Sequence, residues 1–109
     1  MIIKGTHLLD IEVYPDLFFV GIKDYKNQTV KSYEVSRRKD QRHELYRDLM
    51  SFHGFLVTFN GVHYDEVVLL YFLKNYKSLL KEASFSEFIH YIKDISDSVI
   101  NEDWESIKP

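Results

Sequence analysis

Two acidic side chains stand close together in the apolar stretch LLDIEVYPD, residues 8–16. Side chains of a β-strand alternate between the two faces of the sheet, so Asp10 and Glu12 share one face if this stretch is a strand. Carboxylates held this close repel each other, and a bound cation would offset the repulsion. The simpler alternative is a solvent-facing pair on an edge strand. This pair of carboxylates is the first candidate for a functional site.

A third carboxylate follows in the stretch TFNGVHYDE, residues 58–66. Asn60 and Gly61 predict a turn where an apolar strand ends, and Asp65 then falls in the first turn of the next helix. A helix N-terminus favours any acidic residue, which is the structural alternative for Asp65 and for Glu66.

These carboxylates would meet if the first strand paired with the strand that precedes Asp65. Three oxygen donors, in a chain without cysteine, suit Mg²⁺ or Mn²⁺ better than zinc. Two such ions can activate a water molecule and stabilise the leaving oxygen of a phosphodiester. The residues Asp10, Glu12 and Asp65 therefore predict a two-metal hydrolytic site.

Hydrophobic periodicity predicts the elements that must position these residues. Period-two patterns and apolar runs indicate strands, and apolar residues at i, i+3, i+4 and i+7 indicate helices. The predicted strands cover residues 6–14, 17–25, 29–35 and 55–59, and the predicted helices cover residues 40–51, 62–75 and 84–100.

Local signals refine this prediction. Asp40 is the expected N-cap of the first helix, whose apolar positions are Leu45, Leu49 and Met50. The segment 84–87 (SFSE) is a capping box for the last helix. The continuous apolar run 55–59 is typical of a central strand that is covered on both faces. Tyr71, Phe72 and Phe88 have the spacing of core residues.

The resulting fold class is α/β, with β-β-β-α-β-α order plus a C-terminal helix. The first three strands form an antiparallel meander, and a helical crossover leads to the fourth. The prediction is a mixed sheet with helices packed on it. The 109 residues are expected to form a single domain.

Both acidic stretches resemble motifs of a known family. Asp10-Ile11-Glu12 resembles the D-x-E motif of the DEDD-type 3′→5′ exonucleases of the ribonuclease H-like fold. The segment 59–65 (FNGVHYD) resembles their second motif, an aromatic residue, Asn, three residues, an aromatic residue and Asp. The similarity spans roughly residues 5–75 and is strongest with proofreading exonucleases of phage-type DNA polymerases. Joined at this distance, the two motifs are far more specific than D-x-E alone.

The resemblance implies a role for each matched residue. Asp10 would bridge two Mg²⁺ or Mn²⁺ ions, Glu12 would bind the ion that activates water, and Asp65 would hold the second ion, largely through water. Asn60 would contact the substrate strand or fix the loop, and Tyr64 would also be a substrate-binding residue. The implied substrate is the 3′ end of single-stranded DNA, with a DNA polymerase as the implied partner.

The family's third acidic motif, Y-x-x-x-D or H-x-x-x-x-D, has no match. Asp94 and Asp97 follow His90 and Tyr91 at other spacings. We therefore expect the N-terminal portion of such a domain, or a shortened relative. The alternatives are a noncatalytic ribonuclease H-like interaction module or partner subunit, and a half-domain completed by a separate chain. A half-domain should expose an apolar surface.

The composition of the chain limits which other classes of function are possible. The net charge of −3 argues against a broadly basic surface for nonspecific nucleic-acid binding. A basic cluster at Arg37, Arg38, Lys39 and Arg42 is expected to be a solvated face rather than a phosphate contact. No apolar stretch approaches the ~18 residues of a membrane span, and we expect a cytoplasmic protein of a bacterial or phage-infected cell.

Overall fold

Four strands form one sheet in this computed structural model, which describes residues 5–58 and 64–100. The strands are β1 (Thr6–Tyr14), β2 (Leu17–Asp24), β3 (Val30–Ser36) and β4 (Phe55–Thr58). They lie in the order β3-β2-β1-β4. β2 is antiparallel to both β1 and β3, whereas β1 and β4 are parallel. The predicted meander, the mixed sheet and the pairing of the first and fourth strands are confirmed.

Three α-helices accompany the sheet, close to their predicted positions. They are α1 (Arg42–Met50), α2 (Tyr64–Asn75) and α3 (Phe85–Ile100). A π-helical segment, Tyr76–Leu80, continues from α2 and was not predicted. The α/β class is thus confirmed in its coarse form, a four-stranded mixed sheet with three helices.

The predicted helix starts have different outcomes. The capping box of α3 is confirmed, because the Ser84 amide donates to Glu87 Oε1 at 3.0 Å and the Glu87 amide donates to Ser84 Oγ at 3.1 Å. The prediction of Asp40 as the N-cap of α1 is wrong. Gln41 holds that position, and Asp40 accepts hydrogen bonds from the backbone and side chain of Arg42 instead.

The core lies between the helices and one face of the sheet. Phe18 of β2 contacts Phe72 of α2 and Phe88 of α3, with ring centroids 5.9 and 5.8 Å apart. Tyr33 of β3 donates to Asp48 of α1 at 2.6 Å, which ties that helix to the same face. The predicted core positions Leu45, Leu49, Tyr71, Phe72 and Phe88 are buried. Met50 is 60% exposed, so its assignment to the core is wrong.

The opposite face of the sheet, called the open face below, carries no helix within the described ranges. Phe55 and Val57 of β4 point to this side and are 77% and 48% exposed. The expectation of a central strand covered on both faces is therefore wrong for these residues, because β4 pairs only with β1 in the described sheet. Four parts of the prediction lie outside the described residues: the strand end at 59, the turn at 60–61, the helix start at 62–63 and the tail 101–109.

Among the described residues, the helices are too short or too polar to cross a membrane.

Candidate functional site

The acidic pair of β1 lies on the open face. Leu9 and Ile11 point into the core and are 1% exposed, so the intervening side chains point the other way. Asp10 is half-buried and Glu12 is exposed. The structure thus confirms that the two carboxylates share one face of the sheet.

The residue of β2 opposite the first of these carboxylates is a glycine. Asp10 pairs with Gly21 of β2, and Glu12 pairs with Phe19. Gly21 presents no side chain to the open face, and a Cβ placed there would lie 3.4 Å from the Phe19 ring. Asp10 therefore has no side chain directly across from it on β2.

Asp65 occupies a different environment. It lies in the first turn of α2, where the positive end of the helix dipole favours its negative charge. Its exposure is 0%, and it belongs to the same buried side of α2 as Val68 and Phe72. The third predicted carboxylate is thus inside the protein, whereas Glu12 faces solvent.

Tyr64, predicted to bind substrate, is half-buried beside the acidic strand. It lines a shallow depression of about 340 Å³ together with residues 11–14 of β1, which include Glu12. Its hydroxyl lies 2.8 Å from Ser96 Oγ of α3. Burial raises the pKa of the Tyr64 phenol above its usual range, and the neighbouring Asp65 charge raises it further. Tyr64 therefore stays protonated at neutral pH and acts as a hydrogen-bonding group rather than a base.

The number and type of ligand side chains determine how many metal ions these residues could bind. Within residues 5–58 and 64–100, no group of three or more His, Asp or Glu side chains is placed to hold one ion. Mg²⁺ is commonly bound through one or two carboxylates and retained waters. Asp10 and Glu12 are two carboxylates on one face of β1, and the described residues do not form a two-ion centre. Asn60 lies outside the described residues.

The acidic residues of α3 are engaged with neighbours on the same helix. Asp94 pairs with His90 at 3.3 Å on an exposed surface, and Asp97 pairs with Lys93. The charges of Lys93 and Asp97 also act on the Tyr64 phenol.

The basic cluster is only partly a solvated face. Arg38 is 81% exposed at its side chain and forms two hydrogen bonds of 2.9 Å with Glu34. Arg42, however, is 6% exposed, so the expectation of a solvated residue is wrong for it. Its guanidinium donates to the carbonyls of Leu80 and Ala83 at 2.6 and 2.8 Å. Those acceptors lie 38 and 41 residues away, and no local pattern in the sequence indicates them.

A larger depression of about 480 Å³ lies between the start of α1 and residues 76–83. It is lined by Arg42, His43, Tyr76, Lys81 and Glu82, among others. His43 Nδ1 lies 3.1 Å from the Tyr76 hydroxyl, and Arg42 is already paired with Asp40. The positive and negative side chains of this larger depression largely offset each other in charge. The β1 depression is therefore the better candidate for a catalytic site.

Comparison of the chain with protein-family models, with curated proteins and with solved structures found no match.

Proposed function

We propose that this chain forms the D-x-E and N-x-x-x-Y-D half of a ribonuclease H-like 3′→5′ exonuclease centre. The proposed activity is metal-dependent hydrolysis of phosphodiester bonds at the 3′ end of single-stranded DNA. The parallel pairing of β1 and β4 is the observation that carries the proposal. Both strands run in the same direction, so the acidic pair of β1 and the connection from β4 to α2 would lie toward the same end of the sheet.

The residues of the depression suit a phosphate-bearing substrate. Asp10 and Glu12 would hold one Mg²⁺ or Mn²⁺ ion, which supplies positive charge for a phosphate that the two carboxylates alone would repel. Tyr64 offers a neutral hydroxyl near the ion. Tyr14, 48% exposed at the same depression, offers a ring on which a base can stack. A second ion requires ligands beyond the described residues.

The proposal is tested by digestion of 5′-labelled single-stranded DNA with Mg²⁺ or Mn²⁺. We expect stepwise shortening from the 3′ end and a loss of about 100-fold or more in Asp10→Asn and Glu12→Gln, because each removes a metal ligand. Glu82→Gln, at an exposed carboxylate that does not line the β1 depression, is the matched control and should retain the activity. Full digestion in excess chelator, or unchanged digestion by Asp10→Asn, would contradict the proposal.

A noncatalytic interaction module is the second candidate. It is favoured by the exposed apolar side chains of the open face, which a complete enzyme domain would be expected to cover. No metal binding by the wild-type chain, together with no digestion, would support this function instead. Thermal unfolding of each variant shows whether a lost activity reflects a lost fold.

A further inference from the structure

A groove of about 470 Å³ lies between α3 and the segment that follows α2. One wall consists of residues 79, 80, 82 and 83, at the end of the π-helical segment and just after it. The other wall consists of residues 87, 90, 91 and 94 of α3. These four positions follow the i, i+3, i+4, i+7 spacing of a single helix face. We call this feature the α3 groove.

The α3 groove has an apolar part that solvent reaches. Leu79 is 52% exposed, and Leu80 and Ala83 line the same wall. The ring of Tyr91 lines the other wall, and its hydroxyl accepts a hydrogen bond from Asn75 Nδ2 at 2.7 Å, which fixes the ring. A single exposed leucine is common on any protein, but here it borders a concave surface with an aromatic ring, which is the form that binding sites take.

The wall opposite α3 is held in place from its other side. The buried guanidinium of Arg42 donates to the carbonyls of Leu80 and Ala83 at 2.6 and 2.8 Å. Asp40 offsets the charge of Arg42, because their side chains form an ion pair of 2.9 Å. The wall is therefore preorganised, which reduces the cost of ordering it when a ligand binds.

The charged lining of the α3 groove is acidic, since it contains Glu82, Glu87 and Asp94 but no lysine or arginine. Among residues 5–58 and 64–100, Glu82 and Glu87 form no ion pair. Asp94 lies 3.3 Å from His90, which offsets its charge only when the imidazole is protonated. A hydrogen bond from the Ser84 amide holds the pKa of Glu87 below its usual range. Glu82 and Glu87 thus give the groove a negative charge that the described residues do not balance.

The spread of the carboxylates favours several cationic groups over one. Within the described ranges, no three acidic or histidine side chains are placed to hold a single ion. From Glu87 to Asp94, α3 advances about 10 Å at about 1.5 Å per residue. Glu82 lies on the opposite wall. An extended peptide covers that distance in about three residues, so its basic side chains reach carboxylates that one small amine cannot contact together.

We propose that the α3 groove binds an extended segment of a partner protein in which a large apolar side chain is flanked by lysine or arginine. The apolar side chain contacts Leu79 and Tyr91, and the basic side chains lie near Glu82 and Glu87. Nucleic acid is disfavoured as the occupant, because the same carboxylates repel its phosphates. This inference does not depend on nuclease activity, since the β1 depression and the α3 groove share no lining residue.

The test uses the full chain, labelled with ¹⁵N, and three short designed peptides. The first has a central leucine with lysine two residues to either side, the second has glutamate in place of both lysines, and the third has serine in place of the leucine. We expect the first peptide to bind about tenfold or more tightly than the other two, with amide shifts concentrated in residues 79–94. Added salt should weaken its binding, because salt screens exposed charges.

Two variants separate the apolar and the charged contributions. Leu79→Ser should weaken binding of the first peptide about tenfold, because it removes the exposed apolar contact. Glu87→Gln should weaken it about threefold, since glutamine preserves the capping box of α3 but not the charge. The matched controls are Leu70→Ser and Asp16→Asn, which change an exposed leucine and an exposed carboxylate that do not line the groove. Both should bind the peptide as the wild-type chain does.

Equal binding of the lysine and glutamate peptides, or amide shifts centred outside residues 79–94, would overturn the proposal. So would butylammonium binding as tightly as the lysine peptide, which would indicate a site for small cations. A dimer of the chain that is lost in Leu79→Ser would show that a second copy is the occupant, and it would also contradict the proposal. Circular dichroism of each variant checks that the fold is retained.

Discussion

At the scale of single residues, Asp48 of α1 is a buried charge, 6% exposed, with three side-chain donors. It accepts hydrogen bonds from Lys31 at 2.7 Å, from Tyr33 at 2.6 Å and from Arg47 at 3.1 Å. Burial alone would raise the pKa of Asp48, but these three donors outweigh it and lower the pKa below 3.8. The same network raises the pKa of Tyr33 well above its usual range, after burial as the main cause. The network joins α1 to β3.

We predict that Asp48→Asn lowers the free energy of unfolding by about 2–3 kcal/mol, because charged acceptors of buried hydrogen bonds contribute more than neutral ones. A carboxyl whose pKa is lower in the folded state stabilises the fold above its unfolded pKa. That stabilisation is lost as the pH falls through the lower, folded value. Urea unfolding of wild type and variant from pH 7 to pH 2 measures both effects, and their difference should shrink below about pH 4.

Asp94→Asn is the control, because the Asp94 side chain is 65% exposed in its pair with His90. Its effect should stay within about 0.5 kcal/mol. A constant difference between wild type and Asp48→Asn across the whole pH range would contradict the role of the charge.

Residue positions were predictable where one short-range rule governs them. The period of two in a strand is sufficient to place Asp10 and Glu12 on one face, and the S-x-x-E pattern is sufficient for the cap of α3. The burial of Arg42 depends on acceptors that are 38 and 41 residues away, the carbonyls of Leu80 and Ala83. No pattern within a few residues of Arg42 contains that information.

At the scale of elements, the start of β4 depends on a close backbone approach. The Phe55 amide donates to the Gly5 carbonyl at 3.0 Å, next to the first pair of the parallel β1–β4 ladder. A Cβ on Gly54 would lie 1.9 Å from the Gly5 carbonyl oxygen. Only glycine fits there without movement of the backbone.

We predict that Gly54→Ala destabilises the protein by about 1–3 kcal/mol, because the methyl group forces β4 away from β1. Gly21→Ala is the matched control, since a Cβ at Gly21 meets only the Phe19 ring at an ordinary 3.4 Å. Its effect should be below about 1 kcal/mol. Thermal unfolding of the two variants makes the comparison, and equal effects would contradict the steric account.

The types of the secondary-structure elements could be predicted from the sequence. Two features of the elements could not be predicted: the exposure of β4 and the π-helical segment. An apolar run such as that of β4 is compatible with a central strand and with an edge strand. The exposure of β4 therefore depends on which elements lie beside it, and the sequence of the strand does not determine it. The π-helical segment Tyr76–Leu80 continues a helical pattern, and the Lys81 amide donates to the Tyr76 carbonyl, five residues earlier, at 2.8 Å. Its Tyr76 ring stacks on Tyr46 of α1 at 4.1 Å, a contact between distant segments.

At the scale of the whole molecule, the helices cover one face of the sheet and leave the acidic pair on the other. The proposed function depends on the parallel pairing of β1 with β4, the strand that precedes α2.

The most direct test of the central claim is a Mn²⁺ titration of the ¹⁵N-labelled chain, followed by paramagnetic broadening of its amide signals. The account predicts broadening centred on Asp10 and Glu12 and extending to Tyr64. It also predicts that Asp10→Asn abolishes this broadening, whereas Glu82→Gln retains it. Uniform broadening, or broadening centred on the exposed His90–Asp94 pair of α3, would contradict a metal site on β1.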